Sequence, residues 1–167
     1  PLEHIKYMVR RWNKKMPLRI LIAATFTEKK GIPYALEAIG RIQHEIPVEI
    51  TIIGDATVYS HHQAEKKRII DTIDRQGLGP KTRMLGYQPY SVVLSEAYKH
   101  QIFISPSVTA SDGDTEGGAP VVLIDMAATG ISIISTRHCD IPEIIKDRET
   151  GMLAEERNVD ELVAHLR

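Results

Sequence analysis

The chain has 167 residues, enough for one domain with a substantial core, and 43% hydrophobic with 26% charged residues is the balance of a globular protein, not a disordered or fibrous one. A net charge of −1 argues against general nucleic-acid binding, and a single cysteine, Cys139, excludes an intrachain disulfide. No apolar run approaches the roughly 20 residues of a bilayer span and no signal-peptide core is visible, so the expected setting is cytoplasmic.

Residues 1 to 17 form a basic leader, with Lys6, Arg10, Arg11, Lys14 and Lys15 against Glu3 alone. Ile5, Met8, Val9, Trp12 and Met16 fall at helical spacing there. The spacing predicts an amphipathic helix that packs on another domain or touches anionic lipid, which would make the protein peripheral at the inner face of a membrane. Residues 18 to 167 form the domain proper, where short β-branched runs alternate with helical patterns. The predicted strands are Arg19 to Ala23, Val48 to Ile53, Thr82 to Leu85, Ile102 to Ser105, Ser132 to Ser135 and Met152 to Ala154. The predicted helices are Pro33 to Gln43, His62 to Gln76, Tyr90 to His100, Pro120 to Thr129, Ile141 to Lys146 and Asn158 to Leu166. This alternation predicts the α/β class: a Rossmann-like, doubly wound parallel sheet of about six strands with helices on both faces.

Such sheets bind ligands beyond the carboxyl ends of their strands. Lys29 and Lys30 follow the first strand, Gly54 and Asp55 the second, Gly86 and Tyr87 the third, and Thr136 to Asp140 the fifth. After the fourth comes the acidic loop Ser111 to Pro120, whose Pro120 suits the first position of the next helix. Free amides and the positive end of the helix dipole gather at such a start, ready for a phosphate, a carboxylate or a sugar hydroxyl. The helix is apolar almost throughout, the pattern of a buried element, yet carries Asp125. That carboxylate either points to a solvated edge or neighbouring loop, or accepts hydrogen bonds from a ligand at the helix start.

Lysines, glycines and carboxylates on one rim fit an anionic, hydroxyl-rich ligand such as a nucleotide sugar. Other motifs fare worse. The first strand is followed neither by Gly-x-Gly-x-x-Gly nor by a Walker A sequence. Ser105, Ser107 and Ser111 lack a nucleophile elbow. Asp112-Gly113-Asp114 is an acidic loop of a kind common without metal, the seven histidines show no zinc spacing, and His61 and His62 read as surface, so no metal is expected.

Taken together, the segments resemble the retaining glycosyltransferases of family 4, of the GT-B fold. The likeness rests on Ser105-Pro106-Ser107 at a strand end, then Glu-Gly, then a helix ending Ala-x-Gly, within Ile102 to Thr136. Glu28-Lys29-Lys30-Gly31, Ile141-Pro142-Glu143 and Thr150-Gly151 agree in order. The resemblance implies a nucleotide-sugar donor domain, one half of a two-domain enzyme whose acceptor site lies in an N-terminal half. It implies that Glu116 holds the donor sugar near the reacting carbon, that Asp125 accepts from the ribose hydroxyls, and that Lys30 neutralises the leaving diphosphate. The main chain around Gly117, Gly118, Ala119, Pro120 and Val121 would receive the diphosphate and sugar. Thr25, Lys29, Gly54, Gly86 and Tyr87 complete the implied donor site, the last two near the base.

Three departures from the family pattern stand out. The loop is one residue longer, giving Glu-x8-Asp; the second carboxylate is Asp rather than Glu; and Thr25 stands where the family has an arginine, for which Lys29 or Arg137 would have to compensate. The implied activity is transfer of a hexose from a UDP- or GDP-sugar to a glycan or lipid-linked acceptor with retention, without a cofactor. The alternative is a non-catalytic nucleotide or nucleotide-sugar binding module.

Overall fold

The computed structural model describes residues 4–167. Six strands, β1 (Leu18–Ala23), β2 (Val48–Ile53), β3 (Thr82–Met84), β4 (Ile102–Ser105), β5 (Ser132–Thr136) and β6 (Met152–Ala154), form one sheet in the order β3-β2-β1-β4-β5-β6. Every pairing is parallel. The connections carry α1 (Ile32–Ile42), α2 (Ser60–Arg75), α3 (Tyr90–Ala97), α4 (Val121–Ala128) and α5 (Ile141–Ile144), and α6 (Val159–Leu166) follows β6. The predicted α/β, Rossmann-like, doubly wound architecture is therefore the observed one.

Strand residues alternate between two cores, as a period of two requires. Ile20 and Ile22 of β1, Ile50 and Ile52 of β2, Ile104 and Ile134 face α1, α2 and α6. Leu21, Ile53, Phe103, Ile133 and Leu153 face Ala97 of α3, Leu123 and Met126 of α4, and Ile141 of α5. Because both faces are covered, the central strands read as continuous apolar runs. Predicted element ends mostly stand within two residues of the observed ones. The exception is α3, which stops at Ala97 instead of His100. Lys99 there donates to Glu96 O at 2.9 Å, an i to i−3 bond that tightens the exit into a turn.

The predicted leader helix is absent: residues 5–17 run without helix across the carboxyl ends of α3 and α4. Their backbone finds partners elsewhere. The Lys6 amide donates to the Tyr98 hydroxyl at 2.9 Å and the Met8 amide to Thr129 O at 3.0 Å. The Arg10 guanidinium donates to Ala97 O (2.9 Å), Thr129 O (2.7 Å) and Thr129 Oγ1 (3.1 Å). One cation thus caps the carbonyl ends of two helices, where the dipole favours positive charge. Of the apolar stripe, Trp12 packs against the α1 core while Met8, Val9 and Met16 stay exposed. Arg10→Ala is expected to lower stability by about 2 kcal/mol, measured by denaturant unfolding, because it strips both helix ends at once.

His100 supplies a pH dependence. Its ring is buried, with Nδ1 2.6 Å from Glu96 O and Nε2 2.9 Å from Thr51 Oγ1. A carbonyl only accepts, so Nδ1 donates to Glu96 O and Nε2 accepts a hydrogen bond from the Thr51 hydroxyl. Burial lowers the imidazole pKa below its ordinary 6.5, more than the Glu96 carbonyl and carboxylate raise it, with Arg83 and Arg19 lowering it further. The unfolded chain therefore binds this proton more readily, and the contribution is complete above that ordinary value and lost as pH falls below it. Wild type is expected to lose stability between about pH 7 and about pH 5, and His100→Gln to lose less over that window, as followed by denaturation midpoints.

Candidate functional site

The strand order reverses between β1 and β4, so the chain leaves these adjacent strands toward opposite faces and a crevice opens between their exit loops. One wall is the 3-10 turn Glu28–Lys30, and the other is the acidic loop after β4. Gly31 lets the two meet. Its φ is +63°, and a Cβ there would stand 1.9 Å from Pro106 O. Gly54, with φ +125°, passes as tightly against Ala24 O, at 1.8 Å from an added Cβ. Only glycine satisfies both the backbone angle and the approach.

Each residue of the turn grips the acidic loop. Glu28 accepts from the Ser111 amide (3.0 Å) and hydroxyl (2.7 Å). Lys29 Nζ donates to Asp114 Oδ1 (3.1 Å) and Thr115 O (3.0 Å), and it holds the Asp114 carboxylate below its ordinary pKa. Lys30 Nζ donates to both carboxylate oxygens of Glu116, at 2.9 and 2.7 Å. Ser107 Oγ adds a bond to Glu116 Oε1 at 2.7 Å. The Glu116 side chain is 6% exposed and that of Lys30 19%, so the pair is largely removed from water. Lys30 and Glu116, the two residues singled out as catalytic from sequence, are therefore in direct contact across the crevice.

The start of α4 differs from expectation in two ways. Pro120 occupies the N-cap with ψ 129°, one residue before the helix, and no side chain caps the end. The helix is not buried all round: Val121 is 72% exposed and only Leu123 and Met126 are fully covered, because α4 lies at the rim with one face on the sheet. Asp125 is half-buried on that flank, next to Tyr90 at the start of α3. The Tyr90 phenol is pushed above its ordinary value by burial and then by the Asp125 carboxylate. Gly117 takes φ +69°, its amide donating to Thr115 Oγ1, while Gly118 faces the Asp140 carboxylate, and Ala119 joins them to Pro120.

At the β2 and β3 exits, the Gly54 amide donates to Gly86 O at 2.8 Å and the Tyr87 hydroxyl to Asp55 O at 2.8 Å, closing one side of the crevice. Thr25 is half-buried just past β1. Neither basic residue weighed as a stand-in for an arginine at 25 is unengaged. Lys29 is bound to the acidic loop, and Arg137 turns to Asp147 (2.7 Å), Glu155 (3.3 Å) and Leu153 O (3.0 Å). Among the described residues, no group of three His, Cys, Asp or Glu side chains is placed to hold a metal ion. His62 lies on the first turn of α2, its Nδ1 2.5 Å from Thr57 Oγ1.

Sequence reasoning passed over His138, Glu156 and Tyr90. The His138 ring is buried at the β5 exit between Glu156 and the main chain of Glu116. A histidine among scattered histidines carries no spacing signal, and the contact joins residues from three separate loops.

A family model described as glycosyl transferases group 1 matches residues 7–167. The chain belongs to that family. The amylovoran biosynthesis glycosyltransferase AmsK of Erwinia amylovora is 36% identical over 151 residues, covering 90% of this chain and 35% of the relative. The putative colanic acid biosynthesis glycosyltransferase WcaL of Salmonella typhimurium is 32% identical over 152 residues, covering 90% and 36%. This group 1 chain spans about a third of the length of these curated relatives. Among solved structures, the C-terminal domain of a glycosyl transferase group 1 family protein, LpcC, from Francisella tularensis superposes with a TM-score of 0.79 at 21% identity, covering 99% of this chain and 84% of that one. Anabaena HepE, in complex with UDP and glucose, gives a TM-score of 0.75 at 18% identity, covering 89% and 37%. At these identities the structural likeness concerns the fold of the group 1 domain.

The Lys30–Glu116 ion pair is asymmetric, since the carboxylate is the more buried partner. Lys30→Met strands Glu116 with Ser107 as its remaining hydroxyl donor, whereas Glu116→Gln leaves a more exposed ammonium with an amide carbonyl to bind. We expect Lys30→Met to cost about 2 kcal/mol of stability and Glu116→Gln about half that, as read from chemical denaturation.

Proposed function

We propose that residues 18 to 167 are the donor-binding domain of a retaining glycosyltransferase that moves a hexose from a nucleotide diphosphate sugar to a glycan or lipid-linked acceptor. The observation that carries this reading is the contact of Lys30 with Glu116 at the β1/β4 crevice, beside the uncapped start of α4. A diphosphate placed there meets an ammonium group and main-chain amides at once, which suits the charge that builds on it when its bond to the sugar anomeric carbon breaks. Lys30 exchanges Glu116 for the diphosphate, and the released carboxylate accepts hydroxyls of the donor sugar.

The remaining donor residues fall into place around that exchange. The main chain from Gly117 through Gly118, Ala119 and Pro120 to Val121 follows the sugar and phosphates, with Asp125 and Tyr90 toward the ribose. Gly54, Gly86 and Tyr87 frame the base, and Thr25 and Lys29 border the phosphates. The acceptor binds on a preceding half, and this reading puts the enzyme in polysaccharide biosynthesis; the relatives are named for the biosynthesis of amylovoran (AmsK) and, putatively, of colanic acid (WcaL). HepE, which shares this fold, is in complex with UDP and glucose, and that is in keeping with a nucleotide-sugar donor here. Cytoplasmic residence, with peripheral contact at the membrane through the basic leader, is part of the same proposal; among the described residues, no helix is long and apolar enough to cross a membrane.

A second reading, a non-catalytic nucleotide-sugar module, draws on one observation: Lys29 and Arg137 are both engaged, so neither restores the charge missing at Thr25. Both readings require nucleotide binding, and calorimetric titration with UDP, GDP and their sugar conjugates tests it. We expect one nucleotide series to bind and both Lys30→Ala and Glu116→Ala to weaken the sugar conjugate about tenfold or more. Equal affinity in wild type and both variants would remove the site from the crevice. Transfer by a longer form that includes the acceptor half separates enzyme from binding module.

A further inference from the structure

We infer that His138 is a positioning residue for the donor site, acting through the main chain of Glu116; the inference rests on the donor-site reading above. The His138 side chain is 2% exposed, yet neither ring nitrogen is idle. The Glu116 amide donates to His138 Nε2 at 3.1 Å, and Glu156 Oε1 lies 2.6 Å from Nδ1. An amide N–H only donates, so Nε2 presents a lone pair and the ring proton sits on Nδ1, where it donates to Glu156. Cys139 Sγ, 3.2 Å from Nε2, is the other group at that nitrogen.

Glu156 is itself fixed. Its Oε2 accepts from the Thr109 amide at 2.8 Å, and Arg157 lies at 3.5 Å. Burial raises its pKa, but the Thr109 amide, His138 and Arg157 outweigh that and hold it below the ordinary value. The carboxylate form accepts the Nδ1 proton and so selects the tautomer that Glu116 needs. The same pair holds the acidic loop at two points: Glu156 holds Thr109 just before it, and His138 holds Glu116 within it. Thr136, two residues before His138, donates its hydroxyl to Ser107 O, anchoring the residue that also binds the Glu116 carboxylate.

The chain therefore places the Glu116 carboxylate by two independent holds, one on its side chain from Lys30 and Ser107 and one on its backbone from His138. When the donor diphosphate draws Lys30 away, the side-chain hold loses its charged partner and keeps only the Ser107 hydroxyl, while the backbone hold is unchanged. Side-chain length makes the backbone hold testable: the amide of glutamine reaches the Nε2 position, and that of asparagine only the Nδ1 position.

The experiment titrates wild type, His138→Gln, His138→Asn and His138→Leu with UDP, GDP and their sugar conjugates, alongside thermal unfolding and hydrogen exchange of the Glu116 amide. We expect the Asn and Leu variants to bind the sugar conjugate about tenfold more weakly, and Gln to lose less than about threefold. The Glu116 amide is expected to exchange faster in Asn and Leu than in Gln. Should Leu fail to fold, the Gln and Asn pair decides alone. If wild type binds and Gln is no better than Asn, the positioning role falls while the donor-site reading stands. If wild type binds no nucleotide or nucleotide sugar, the donor-site reading falls and takes this inference with it.

Discussion

Much of the site depends on the grip of Glu28, Lys29 and Lys30 on the acidic loop across the β1/β4 crevice. A doubly wound sheet opens that crevice because the chain leaves β1 toward one face and β4 toward the other. The backbone alone does not close it. Three consecutive side chains do, each on a different part of the loop, while Gly31 brings the turn against Pro106 O. Without these contacts the loop from Ser107 to Pro120, which contains no regular secondary structure, would have few reasons to adopt one conformation.

The same contacts explain how such a loop can be both ordered and ready to bind. A carboxylate and an ammonium largely removed from water need each other, so the Lys30 and Glu116 pair is firm. Under the proposed function, a diphosphate would offer Lys30 a doubly charged alternative, and the energy of the old pair would then offset part of the new one, at the cost of some affinity. The bond from the Glu116 amide to His138 does not involve the lysine, so an anion at Lys30 would leave it in place.

Away from the rim, the fold spends its polar groups on helix ends. Arg10 serves two carbonyl termini with its guanidinium, and residues 5–17 lie along the molecule without helix, the Lys6 and Met8 amides donating to the Tyr98 hydroxyl and to Thr129 O. Exposed Met8 and Val9, together with Val121 on α4, leave apolar side chains on the outer surface. The helical spacing of the leader was real in the sequence, but a helix competes with any partner that offers the same hydrogen bonds, and here the partner won.

The sequence by itself determined the class of fold and nearly every element. Continuous β-branched runs can only be strands covered on both faces, and their alternation with helical patterns requires parallel crossovers. It also placed Lys30 and Glu116 at strand exits on one rim and Asp125 on the helix that follows, because those positions follow from element order alone. What only the tertiary structure decided is which exits are neighbours. The strand order brings β1 against β4, turning residues 86 positions apart into the bonded pair Lys30 and Glu116. The contacts of His138, Glu156 and Tyr90 are likewise set in space, since a hydrogen bond joining separate loops has no period and no spacing. Local patterns record what each segment needs to bury; they do not record which segment will satisfy it.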